Sequence, residues 1–226
     1  MHLSTAPALI LRPDAPPRAT LLWFHGLSVD KETHRAELER FARAGILAVG
    51  IDAAGHGERR LPDFEARFAG SQEEVLPPML ELVLETAREI PRIIDALGVP
   101  EIAIAGVSMG AFVVYRALTL DPRITTAAAL LGSPRWRHDE SPDRFIDQFF
   151  PKALLSITAE QDVNVPPHDA RELHAALTPR YASAPERLRY RELPGAEHLV
   201  NEAEWNASID EIIEWVLTYS SGGGGK

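Results

Sequence analysis

Cysteine is absent from the 226-residue chain. Its absence excludes disulfide staples, thiolate zinc sites and a cysteine nucleophile together. Long apolar runs are missing as well, and nothing approaches the ~20 residues of a membrane-spanning helix. The opening sequence MHLSTAPALILRPD lacks a positively charged leader, and its apolar stretch Ala8–Leu11 is too short for a secretory signal. Positive charge is scarce: 23 Lys+Arg stand against 33 Asp+Glu, a net charge of −10. Basic residues occur as short pairs such as Arg59-Arg60, with no stripe that could release counterions from a phosphate backbone. There is no internal repeat. These absences predict a soluble, cytoplasmic protein with no nucleic-acid partner and no membrane partner, present as a monomer or homodimer and acting on a small molecule.

What is present is ordinary globular composition, 45% hydrophobic and 25% charged. A chain of this length supports one sizeable core, and a single domain over residues 1–219 is expected. The run Ser220-Ser221 through Gly225-Lys226 is set aside as a flexible tail, 220–226. Along the domain, short β-rich runs alternate with segments of helical period. Strands are expected at Ala19–His25, Ile46–Asp52, Ile102–Val107, Thr126–Leu131, Ala153–Thr158 and Leu188–Leu193. Helices are expected at Lys31–Ala44, with Leu38 and Phe41 inward, then at Met79–Leu97, Met109–Leu120, Pro167–Leu177 and Glu202–Thr218. Pro78 suits a first helical turn and Pro91 an internal kink. This alternation predicts an α/β fold, a doubly wound, mostly parallel sheet with helices on both faces. Two segments break the rhythm, 58–77 and 134–152, and are expected as small cap insertions over a site. Their aromatics, Phe64 and Phe68 in the first and Trp136, Phe145 and Phe149 in the second, are candidates to line an apolar substrate pocket.

The chemistry concentrates at Gly106-Val107-Ser108-Met109-Gly110, a G-x-S-x-G with a strand running in and a helix running out. That setting is the sharp turn that lifts a serine clear of a sheet. Glycine two residues to either side removes side chains that would collide, and the helix N-terminus faces developing negative charge. A serine hydroxyl needs a base. Among eight histidines, His198 follows the last strand in the loop Pro194–His198, from where it can reach back over the turn. His174, in a helix, and His2, at the terminus, read as surface groups, and His25 as a structural hydrogen-bonding residue. Asp162, in the loop after strand Ala153–Thr158, is the candidate acid, with Glu160 the alternative. The order Ser108, Asp162, His198 is the one the motif requires. Backbone N–H groups of Leu27 and Met109 are the expected oxyanion donors. Asp52 and His56 read as turn geometry, with no metal site.

Together Phe24-His25-Gly26, Asp52–Gly57, Gly106–Gly110, Asp162–Pro166 and Gly195–His198 resemble the α/β-hydrolase superfamily, over the whole stretch from Ala8 to Tyr219. The compact size is similar to bacterial serine carboxylesterases related to dienelactone hydrolases and to prolyl-oligopeptidase-type catalytic domains. The resemblance implies cleavage of carboxylic esters of short to medium acyl chains through an acyl-enzyme on Ser108, with no metal or organic cofactor. Serine at 108 departs from dienelactone hydrolase, which uses cysteine there, and from haloalkane dehalogenases and epoxide hydrolases, which use aspartate. The same three residues would also serve a thioesterase, a transacylase or a perhydrolase, and a catalytically silent binding module is a third reading.

Overall fold

The computed structural model describes residues 2–3 and 6–220 of the chain; the glycine-rich run 221–226 assigned to a tail lies outside the described residues. Eight strands form one sheet in the order β1-β2-β4-β3-β5-β6-β7-β8. They are β1 (His2–Leu3), β2 (Ala6–Leu11), β3 (Ala19–Phe24), β4 (Ile46–Ile51), β5 (Ile102–Val107), β6 (Ile124–Leu130), β7 (Ala153–Ala159) and β8 (Leu188–Leu193). From β4 through β3 to β8 every neighbouring pair is parallel, while β2 pairs antiparallel with β4 and β1 with β2. The two leading strands were not foreseen. β2 lies between β1 and β4, and its last three residues are only half buried, so its apolar run is short and weakly patterned.

The interior strands read as unbroken apolar runs because both faces are covered. Alternate residues enter different layers. Leu22, Phe24 and Ile104 face a layer with helices α3 (Gln72–Leu97), α4 (Met109–Leu118) and α5 (His168–Leu177). Leu21, Trp23, Ala103 and Ala105 face the other, with α1 (Arg35–Arg43) and α6 (Glu202–Tyr219). Alanines dominate the second face at positions 48, 103, 105 and 128, and the space they leave is filled by Trp23, Phe41 and Trp215, all essentially buried. Leu38 and Phe41 of α1 point inward as expected. Among the described residues no helix is long and apolar enough to cross a membrane.

The first cap segment differs from expectation. Helix α3 begins at Gln72, not near Met79, and runs through Pro77, Pro78 and Pro91. Its start is fixed at Ser71, where the Glu74 carboxylate accepts from the Ser71 N–H (2.9 Å) and hydroxyl (2.8 Å). This Ser-x-x-Glu capping signal outweighs the two prolines at 77 and 78, each of which costs one intrahelical bond. Between β4 and α3 the chain makes a one-turn 3-10 segment, Gly57–Arg59, and the short helix α2 (Phe64–Arg67). The second segment, between β6 and β7, contains a 3-10 stretch at Pro142–Gln148.

Candidate active site at the carboxyl edge of the sheet

Parallel strands β3, β5, β6 and β7 all end at one rim, and the loops that follow them meet there. Ser108 is the single residue between β5 and α4, with φ 53° and ψ −120°. Such a backbone is strained for a residue with a side chain, and it persists because its surroundings fix it. The flanking glycines are obligatory by close approach. A Cβ on Gly110 would stand 2.1 Å from the Phe24 carbonyl oxygen, and one on Gly106 would stand 2.6 Å from the backbone of Gly110. The turn is therefore wedged against the end of β3. The Ser108 N–H is tied to the Leu130 carbonyl at 2.8 Å.

The three candidate side chains converge. Ser108 Oγ lies 3.0 Å from His198 Nε2, and His198 Nδ1 lies 2.6 Å from Asp162 Oδ2. The Asp162 carboxylate is fully buried, while the imidazole is about one-sixth exposed. Asp162 Oδ1 accepts from the N–H groups of Asn164 (2.9 Å) and Val165 (2.8 Å), which fixes the carboxylate's orientation. Glu160, the alternative acid, does not reach the imidazole. It accepts from the Gly195 N–H at 2.7 Å and so ties down the loop that carries His198.

The oxyanion candidates stand beside Ser108. Met109 is the first residue of α4, a position whose N–H has no acceptor within its own helix. Leu27 follows Gly26, whose Cα approaches so closely that an added Cβ would touch Ser108 Cβ at 3.7 Å. The loop is held by His25, which is fully buried. The Ala53 N–H donates to His25 Nε2 (3.1 Å), so the neutral ring carries its proton on Nδ1 and gives it to the Gly26 carbonyl (2.7 Å). Burial pushes this imidazole down to about 4. The same loop is anchored by Lys31, whose ammonium meets buried Asp52 and Glu58, both at 2.8 Å. Burial opposes charge on Asp52, but the hydrogen bonds from Lys31 and the Glu58 N–H outweigh it and hold the carboxyl below its usual range. Asp52 and His56 thus organise turns, and among the described residues no group of three or more ionisable side chains is placed to hold a metal.

Two expectations are corrected. None of the five aromatics assigned to a pocket lines the cleft at Ser108. Phe64 packs between His56 (4.8 Å), Phe68 (4.5 Å) and the Arg60 guanidinium (3.8 Å). Trp136 stacks on Phe112, Phe145 covers the Arg116 guanidinium, and Phe149 is fully buried in the α4 layer. Their large apolar areas anchor the insertions to the core, which outweighs leaving them at a wet cleft. His174 is buried rather than solvated. Its Nε2 lies 2.8 Å from Ser156 Oγ on β7, and burial lowers its ionisation to about 3.

The cleft itself has a volume of about 710 Å³. One wall comes from Val75, Leu76 and Met79 of α3 with Phe112 of α4, and the base from Leu131 and Val165. Across from them, His34 and Trp205 stack with ring centres 5.5 Å apart. Burial works against charge on Glu37, but His34 beside it and the Trp205 indole N–H (2.7 Å) hold its carboxyl down at about 2. Ser28, Leu131, Asn164 and Val165 sit at strand-end loops and were traceable from that placement. The contributions of α3 and α6 carry no comparable local signal.

A parallel-centred sheet of eight strands, covered by helices on both faces and presenting a serine on a strained strand-to-helix turn, is an α/β hydrolase. Residues 15–189 match the family model Hydrolase_4, described as serine aminopeptidase, S33, and the chain belongs to that family. It is 25% identical over 232 residues, covering 88% of both chains, to the Bacillus subtilis (strain 168) protein "Putative esterase YitV". Among solved structures it is similar to TT1662 from Thermus thermophilus, with a TM-score of 0.74, 26% identity and 96% of each chain covered. A monoacylglycerol lipase from Paleococcus ferrophilus shares the fold, with a TM-score of 0.68 and 18% identity over 94% of this chain and 98% of that one.

Proposed function

We propose that the protein is a serine carboxylesterase that cleaves esters of short to medium acyl chains through an acyl-enzyme on Ser108. The observation that carries this reading is the contact chain Ser108 Oγ, His198, Asp162, at 3.0 and 2.6 Å, opening onto an apolar cleft. His198 Nε2 takes the hydroxyl proton as Oγ attacks the acyl carbonyl carbon. The oxyanion forms beside the Leu27 and Met109 N–H groups, each such donor worth ~3–4 kcal/mol of barrier. His198 returns the proton to the departing alcohol oxygen as the ester C–O bond breaks. Water, deprotonated by the same nitrogen, then attacks the acyl-enzyme and releases the carboxylic acid and free Ser108. Asp162, fixed by two backbone donors, keeps the proton on Nδ1 and stabilises the imidazolium.

A cleft of about 710 Å³ with aliphatic walls suits a small ester rather than a polar or polymeric one. The esterase name of the Bacillus relative and the lipase name of the Paleococcus neighbour support the ester class. The test is turnover of p-nitrophenyl esters graded by acyl length, with Ser108→Ala as control. Hydrolysis of the short and medium esters that Ser108→Ala abolishes supports the reading. Equal turnover by the variant refutes it.

A further inference from the structure

A second cavity of about 910 Å³ lies against the cleft, between α3 and the loop that follows β6. Its deep surface is apolar, made by Leu80 and Leu84 of α3 with Trp136 opposite, all three buried. Exposed charges such as Glu81 and Arg137 stand at its rim. The two cavities have Gln72 and Leu76 in common. A stacked pair stands between them elsewhere, since Phe112 lines the cleft and Trp136 the second cavity, with ring centres 5.9 Å apart. At their boundary the Gln72 side-chain amide donates to the Asn164 carbonyl, tying the first turn of α3 to the loop that carries Asp162. Gln72 is exposed, so water can readily replace this bond.

We infer that the Gln72–Asn164 bridge divides one long binding trough and sets acyl-chain selectivity. With the bridge made, the cleft ends near Leu76, and acyl groups that fit beside Ser108 are favoured. With it broken, the distal part of a long saturated acyl chain passes Leu76 and lies on Leu80 and Leu84. The apolar depth of the second cavity suits methylenes, and its charged rim leaves the outer edge in water. This rests on the reading of Ser108 as an ester-cleaving nucleophile.

The readout is the ratio of kcat/KM for p-nitrophenyl palmitate to that for p-nitrophenyl acetate in the full chain. Gln72→Ala removes the bridge and should raise the ratio about tenfold or more, since each methylene newly housed in an apolar pocket is worth roughly a factor of ten. Glu81→Trp, at an exposed position of α3, puts an indole into the second cavity and should leave the parent's ratio within about twofold, because the bridge already closes that cavity off. Combined with Gln72→Ala it should cancel the gain. A ratio that stays within about twofold of the parent in Gln72→Ala, or a gain that survives Glu81→Trp, overturns the divider while leaving esterase chemistry intact. Absence of any Ser108-dependent ester turnover overturns both.

Discussion

Replacing Asp162 by asparagine changes one atom at the centre of the site, and the structure specifies the consequence. Oδ1 is held by the N–H groups of Asn164 and Val165 at 2.9 and 2.8 Å, so an asparagine must place its carbonyl oxygen there. Its NH₂ group then occupies the position of Oδ2, 2.6 Å from His198 Nδ1. A donor at that point forces Nδ1 to accept, which moves the ring proton to Nε2, 3.0 Å from Ser108 Oγ. In that tautomer the imidazole cannot take the serine proton. Loss of a correctly oriented base in a site of this kind lowers kcat about 10⁴-fold, about 5.5 kcal/mol of barrier. Both loop hydrogen bonds survive, so the fold should lose no more than ~1 kcal/mol. The assay is kcat on p-nitrophenyl acetate near neutral pH, paired with urea unfolding of the same preparations. A variant within about tenfold of the parent, or one whose lost activity tracks lost folding, would refute the reasoning.

Glu160→Gln removes the carboxylate charge while leaving an amide oxygen that can accept from the Gly195 N–H; kcat should fall less than about tenfold, and a loss as large as that of Asp162→Asn would make Glu160 the acid. Gly110→Ala drives a methyl group into the Phe24 carbonyl; urea unfolding should show a loss of about 1–3 kcal/mol or more, and unchanged stability together with unchanged activity would contradict the wedged turn. His25 and His174 are held neutral by burial, at about 4 and about 3. Because the unfolded chain binds protons below pH ~6.5 and the folded protein does not until these lower values, stability should fall as pH drops from about 6.5 towards 4. Each residue should account for roughly 2–3 kcal/mol by pH ~4.5. Equal urea midpoints at pH ~7 and ~4.5 would contradict this.

The elements of the sheet from β3 to β8 were legible because burial on both faces writes apolar runs, punctuated by Gly45 and by the glycines at 106 and 110. Ser108, Asp162 and His198 could be picked out as candidates because each stands in a loop or turn after a strand, at the rim the topology dictates, and the structure brings their side chains into contact. Leading strand β2 was missed because its apolar run is short and its last three residues are only half buried. The start of α3 was misjudged because Pro78 was read as a first-turn residue and the Ser71–Glu74 capping pair further upstream was not considered. The pocket was misjudged for a more general reason. Hydrophobic residues in a polar insertion can face either the core or a ligand, and composition does not distinguish the two. Phe64, Trp136 and Phe149 went to the core, and the cleft took its walls from helix faces that only tertiary packing brings to the serine.

The proposed mechanism requires Ser108 to be an activated nucleophile. Treatment of the folded protein with a fluorophosphonate, followed by peptide mass mapping, tests it most directly. One phosphonyl adduct on the peptide bearing Ser108, absent from Ser108→Ala and strongly slowed in His198→Ala, is the predicted result. No adduct, or an adduct on another residue with Ser108 unmodified, would contradict it.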